Sequence, residues 1–158
     1  MSQLKESSPL NFVAAFHRTF KHPIEPKPII PSEKRCQLRI SLLAEELKEL
    51  ETAITNKDLV EVADALCDLQ YVLAGAILEF GMGGVFNELF EEVQRSNMSK
   101  ACNSLEEANK TIAFYKAKDN TDAFCETCDG KYLVYRKSDN KTLKNINYSP
   151  VNFEKILF

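Results

Sequence analysis

Histidine is nearly absent from this chain, with His17 and His22 its only two. No Glu-x-x-His pair occurs, which argues against a di-iron helical bundle and disfavours zinc hydrolysis. No apolar run is long enough to span a bilayer. The opening MSQLKESSPLNF has no apolar core of the signal-peptide kind, so a cytoplasmic protein that leaves membranes alone is expected. A Walker-type phosphate loop is missing, because Gly81-Met82-Gly83-Gly84 is not followed by Lys-Ser/Thr. Basic excess is missing too. A net charge of −3 argues against a nucleic-acid surface, although Lys137, Lys141 and Lys144 make a local basic patch. The five cysteines are an odd number and read as reduced thiols. Cys125 and Cys128 form a CxxC, but a zinc ribbon needs a second pair that the chain lacks, so they read as two thiols near a turn.

What is present is an ordinary globular composition, 44% apolar and 27% charged over 158 residues, enough for one domain with a sizeable core. Ser8-Pro9 opens a helix over about 9–20, through NFVAAFHRTF. Pro23, Pro26, Pro28 and Pro31 mark an extended connector. Ser32 caps a helix to about Asn56, with Leu43, Leu47, Leu50 and Ile54 at helical spacing. After a break at 55–57, a third helix runs from about Asp58 to Phe80 and ends at the glycines 81, 83 and 84. A fourth covers about 85–96. A capping box, Ser104 to Glu107, starts a fifth over about 105–118. Strands are expected at 132–135 and 142–144, flanking a Ser-Asp-Asn turn, with a further turn signal at Asp129-Gly130 and a short terminal helix from Pro150. The expectation is an all-α bundle of four to five helices over 1–118, with a small C-terminal β-hairpin appendage in 119–158 as part of the same domain.

Two acidic clusters carry the chemistry. Glu45, Glu46 and Glu49 lie in EELKELE, and Glu46 and Glu49 share a helix face. Glu61, Asp64 and Asp68 follow at i, i+3 and i+7 on a helix whose other positions are almost all apolar, which predicts a largely buried helix. Bare charges there are unfavourable, so these acids must be protonated, paired or bound to metal. Lys48 falls on a different face of its helix and Lys57 in the break, which leaves few bases to pair with them. Carboxylate-only sites suit Mg²⁺, with Mn²⁺ the other candidate. A short turn makes the two helices antiparallel and brings Glu49 towards Glu61 or Asp64.

Glu46-x-x-Glu49 followed by Glu61-x-x-Asp64 resembles the paired acidic motif of the all-α nucleoside triphosphate pyrophosphohydrolases, the superfamily of MazG, dimeric dUTPase and phosphoribosyl-ATP pyrophosphohydrolase. The likeness is strongest to the last of these branches. It runs through FVAAFHRTF, EELKELE, DLVEVADALCDLQYVLAGAILEFG, VFNELFEEVQRSNMSK and the late DGK and LKNINYSP segments. The resemblance implies a MazG-like bundle, a homodimer or higher homo-oligomer, and Mg²⁺-dependent cleavage of a nucleotide between its α- and β-phosphates. It makes Glu46, Glu49, Glu61 and Asp64 the metal ligands, with Asp68 as a third acid of the second motif. Which of Asp64 and Asp68 is the main ligand stays open, because Asp68-Leu-Gln-Tyr71 also matches some relatives. Glu45 is the candidate for positioning the attacking water, or a further ligand.

Asn97 and Lys100, with Arg95 beside them, are candidates for holding substrate phosphates, against the plainer role of basic residues at a helix C-terminus. Lys131, Lys144 and Tyr148 lie in tail segments that could close over phosphate. Phe16, His17 and Phe20 could flank the base, against the commoner role of an aromatic stripe in a core. Two other readings compete: a non-catalytic helical interaction module, and an enzyme acting on phosphoribosyl-ATP itself. The latter ranks lower because of the C-terminal extension and the lack of a histidine after Tyr71.

Overall fold

The computed structural model describes residues 4–5 and 7–158, so the signal-peptide reading of the first residues falls partly outside it. The chain divides into two compact units, Met1–Phe86 and Asn87–Phe158.

In the first unit, α1 (Pro9–Phe20) and α2 (Glu33–Asn56) both pack on α3 (Leu59–Glu79). Val13 and Ala14 of α1 meet Ala74 and Leu78 of α3 in a small core, with Leu10 and Ile24 against it. The proline-rich connector is extended and tied to the end of α3. Glu25 N–H donates to Leu78 O at 3.0 Å and Ile29 N–H to Phe80 O at 3.1 Å. Gly81 makes this crossing possible: its φ is +68°, and a Cβ there would fall 1.8 Å from the Lys27 carbonyl oxygen.

Apart from Ala65, only the last two turns of α3 are buried as the apolar sequence predicts. Ala74 to Glu79 are sealed, but Leu59 and Val60 are 80% and 76% exposed. The physical reason is that α2 covers one face of α3, while the buried contacts of α1, through Val13 and Ala14, fall on Ala74 and Leu78.

Helix α4 (Phe86–Met98) belongs to the second unit but for its first residue, and α5 (Leu105–Asp119) follows it. Ser104 caps α5 by accepting from Glu107 N–H, while the Glu107 carboxylate turns back to the N–H of Asn103. Strands β1 (Ala123–Cys128) and β2 (Lys131–Arg136) form an antiparallel ladder from Ala123–Arg136 to Cys128–Lys131. This corrects the expected pairing of 132–135 with 142–144. The hairpin closes at Asp129-Gly130, whose φ values of 47° and 75° suit a two-residue turn. Thr142 reaches Tyr135 only as an isolated bridge. Cys102, Ala108, Val134 and Leu143 form the core of this unit, so α5 lies with the hairpin. The terminal helix α6 (Glu154–Leu157) starts four residues after Pro150. Among the described residues no helix is long and apolar enough to cross a membrane.

Candidate active site

The acids are brought together by a tight helical hairpin. Lys57 ends α2 in the left-handed conformation, its N–H bonded to the Ala53 and Ile54 carbonyls. Asp58 then starts α3 by accepting from the N–H groups of Val60 (3.0 Å) and Glu61 (3.2 Å). Two residues thus reverse the chain. Ala53 and Ala65 are buried in this first unit, and small side chains of this kind let helix backbones approach.

Glu46 occupies the middle of the α2–α3 pair. The residue is only half-buried, but its Oε2 is sealed from solvent and has no hydrogen-bond partner. Burial, then the charges of Asp68, Glu49, Glu45 and Asp64, push its carboxyl above the usual range. One turn on, Glu49 lines a cleft of about 370 Å³ with Glu61, Asp64 and the capping Asp58. The five acids marked as ligands therefore fall into two neighbouring groups, Glu46 with Asp68 and Glu49 with Glu61 and Asp64. Glu45, exposed, stands one step round α2. The carboxylates are spread along the helices: among the described residues no three of His, Cys, Asp and Glu are gathered closely enough to hold an ion together.

Lys48 corrects one expectation. It lines the cleft instead of facing away, and its ammonium is 2.8 Å from Glu51. That pair is exposed and contributes little, and no lysine or arginine forms an ion pair with the five seam acids among the described residues.

His17 is buried, with both ring nitrogens engaged. Its Nδ1–H donates to Pro23 O at 2.8 Å, which leaves Nε2 to accept from Arg39 at 3.4 Å. Burial is the chief reason its imidazole is held below its ordinary value. Arg39 and Arg35 in turn both bond the Glu79 carboxylate. Gly75 permits this, since a Cβ there would come 2.6 Å from Arg39 Nη1. Sequence reasoning missed Arg35, Arg39 and Glu79. The signal was available: Glu79 ends the apolar run LAGAILEF, and an acid in such a run needs a cation as much as Glu61 or Asp64 does. Beside His17, the exposed ring of Phe16 stacks on His22 at 5.7 Å and meets the edge of Tyr71, also at 5.7 Å.

The remaining candidates belong to the second unit. Arg95 is committed within it, donating to Glu92, to Ser149 Oγ (2.8 Å) and to Pro150 O (2.9 Å). Lys100 donates to Asn97 Oδ1 at 2.7 Å, and Lys131 to Asn103 Oδ1 at 2.6 Å. Tyr148 pairs its hydroxyl with Ser96 at 2.9 Å, and the Lys144 ammonium lies 4.2 Å from the Tyr148 ring centroid.

Comparison with known proteins bears on this arrangement. Over 92% of its length the chain is similar to uncharacterized protein L479 of Acanthamoeba polyphaga mimivirus, at 23% identity and covering 94% of that protein. Residues 13–97, which take in the last two thirds of α1, all of α2 and α3 and nearly all of α4, match the family model for phosphoribosyl-ATP pyrophosphohydrolase. The stretch contains every acid of the seam. The chain therefore belongs to the phosphoribosyl-ATP pyrophosphohydrolase family, a branch of the MazG-like all-α pyrophosphohydrolases, which are hydrolases of phosphoanhydrides.

Proposed function

We propose that this protein is a Mg²⁺-dependent nucleotide pyrophosphohydrolase that cleaves the α–β phosphoanhydride, releasing a nucleoside monophosphate and pyrophosphate. The observation that carries the reading is the sealed, partnerless Oε2 of Glu46, set among further carboxylates on facing helices. Such an oxygen is unfavourable as a bare charge, and a proton or a cation relieves it. A donor set made only of carboxylates suits a hard divalent ion. Glu46, Glu49, Glu61, Asp64 and Asp68 are the residues that would hold Mg²⁺, or Mn²⁺.

When bound, the metal neutralises phosphate oxygens and lowers the pKa of a coordinated water. The chain's own part is then positional. The seam acids would hold the metal, and the facing helices that carry them fix where their carboxylates stand relative to the nucleotide's phosphates. A carboxylate oxygen of Glu45 takes the proton of the attacking water. The water's hydroxyl goes to one phosphorus of the α–β bridge, and the bridging P–O bond breaks.

A second copy of the chain is part of this proposal. The α2–α3 hairpin leaves Leu47 and Ile54 of α2, seven residues apart on one face, each 59% exposed. An apolar helix face of this kind is usually covered. Sedimentation of the purified protein should give twice the chain mass or more; a monomer at micromolar concentration removes this part.

Turnover is tested by incubating the protein with a panel of nucleoside triphosphates and phosphoribosyl-ATP in Mg²⁺ and measuring pyrophosphate. Release from at least one substrate, abolished by chelator, is expected. No release from any, with no Mg²⁺-dependent rise in melting temperature, would leave a non-catalytic helical module as the better reading.

A further inference from the structure

The sheet of the second unit is covered along one edge and bare along the other. Beyond β2, Cys102 and Tyr132 exchange both main-chain hydrogen bonds, at 2.8 and 3.0 Å. Leu143 N–H donates to Val134 O at 2.8 Å, and Arg136 N–H to Lys141 O at 2.9 Å. Tyr132, Val134 and Arg136 thus turn their main-chain groups away from β1. In the ladder they face Thr127, Cys125 and Ala123. Facing residues of an antiparallel pair turn their N–H and C=O groups either both towards each other or both away. Ala123, Cys125 and Thr127 therefore present theirs on the free edge of β1. Among the described residues no hydrogen bond reaches those groups.

A bare edge templates pairing with another strand, and it is ordinarily blunted by lysine, proline, a bulge or an inward-turned charge. None of these protects β1. Its sequence, AFCETC, has a single charge, the exposed Glu126. Its ladder to β2 runs without a bulge from Ala123–Arg136 to Cys128–Lys131. Ala123 and Cys125 pack against the core of the unit, so the edge is presented already formed.

We propose that β1 pairs antiparallel with the β1 of a second copy of this chain about a two-fold axis, joining the two hairpins into one sheet. The register selects this occupant. Outward groups must meet outward groups, so the axis falls on a single residue of the strand. With the axis on Cys125, every outward residue of both copies is used. Cys125 faces the partner's Cys125 and Ala123 faces the partner's Thr127, each pair exchanging two hydrogen bonds. Phe124 then faces the partner's Glu126, and no like charges meet. An axis on Glu126 would set two carboxylates directly opposite each other, which is unfavourable. An axis on Ala123 or Phe124 would need Thr121, which precedes the strand. An axis on Thr127 or Cys128 would need Asp129, whose φ of 47° is not extended. The edge fits itself in one register, as an isologous contact requires. It lies beyond residues 13–97 and depends neither on the hydrolase reading nor on the α2 face.

The test is hydrogen exchange of the full chain, read amide by amide by NMR from dilute to concentrated protein. The N–H groups of Phe124 and Glu126, bonded within the hairpin, should be protected throughout. Those of Ala123, Cys125 and Thr127 should gain protection as the concentration rises, an alternation that a contact between helices does not produce. Thr127→Pro removes an outward N–H and leaves the bonds to β2 in place. It should weaken the pairing at least roughly tenfold while Phe124 and Glu126 stay protected. Phe124→Glu and Phe124→Lys lose the same ring, yet only the first should abolish the protection, because residue 124 faces the partner's Glu126. If Thr127→Pro loses the hairpin, the two Phe124 variants decide. Outward amides that do not respond to concentration, equal behaviour of the two Phe124 variants, or unchanged pairing in a folded Thr127→Pro would overturn the proposal.

Discussion

Glu46 and Asp68 carry like charge on facing helices of the α2–α3 pair, with no cation between them among the described residues to offset it. The pair sits in a hairpin whose far end is held by opposite charge, Arg39 against Glu79. The helix pair is electrostatically closed at that end and strained at its middle, where a divalent ion is proposed to act.

Glu46→Gln should therefore stabilise the metal-free protein. The folded-state carboxyl of Glu46 lies above its ordinary value, so its ionisation opposes folding once the pH rises through that folded value. At pH 7 in chelator the variant should melt about 2–4 °C higher, the shift that ~1 kcal/mol produces in a chain of this size. At pH 3, where the acid is protonated in both states, the difference should vanish. In Mg²⁺ the order should reverse, because the wild type gains a ligand-linked rise that the variant lacks. Melting curves in the two conditions check this.

Glu49→Gln should keep the helix content and lose turnover. Glu49 lines the cleft with Glu61 and Asp64, and removing one anionic ligand should reduce kcat/KM at least about 100-fold, beyond what loss of an outer partner of a metal site gives. Circular dichroism and pyrophosphate release measured on the same sample separate folding from chemistry. Full activity with an intact fold would remove Glu49 from the site.

The His17–Arg39–Glu79 cluster sets two separate pH windows. His17 is held below 6.5 chiefly by burial, and the charge of Arg39 adds to this against the Pro23 hydrogen bond. Its contribution is complete above 6.5 and is lost as the pH falls towards the lower folded value, with up to one proton taken up on unfolding. Glu79 is raised by burial, but the hydrogen bonds from Arg35 and Arg39 win and hold it below 4.5, so its share is lost only below that pH. Denaturant unfolding across pH 3–8 should show both steps, and His17→Gln should erase the upper one.

Glu79→Gln should be among the most damaging single changes in the first unit. It leaves Arg39, 7% exposed, without a counter-charge. Breaking a buried pair in this way costs about 3–5 kcal/mol, so the melting temperature should fall by on the order of 10 °C. A fall of less than about 2 °C would mean that the cluster is hydrated and not closed.

Much of this protein was legible from its residues alone. The five longer helices follow from periodicity and punctuation: Ser8-Pro9, the Ser104–Glu107 box and the break at Lys57 are local signals, and hydrogen bonds within one helix need no distant partner. The acids were legible as a stripe because carboxylates stand out in an apolar run. Strand pairing was not: Asp129-Gly130 was read as a turn, but only the folded ladder selects Ala123–Cys128 over 142–144 as the partner of β2. Nor was the cross-helix register that sets Asp68 against Glu46, nor the choice of Arg39 as the cation for Glu79, 40 residues away. Local geometry is decided by neighbours a few residues apart, which the sequence displays directly. Which charges meet, and whether they attract or repel, depends on how far one helix slides along another, and that is set by packing across the whole unit.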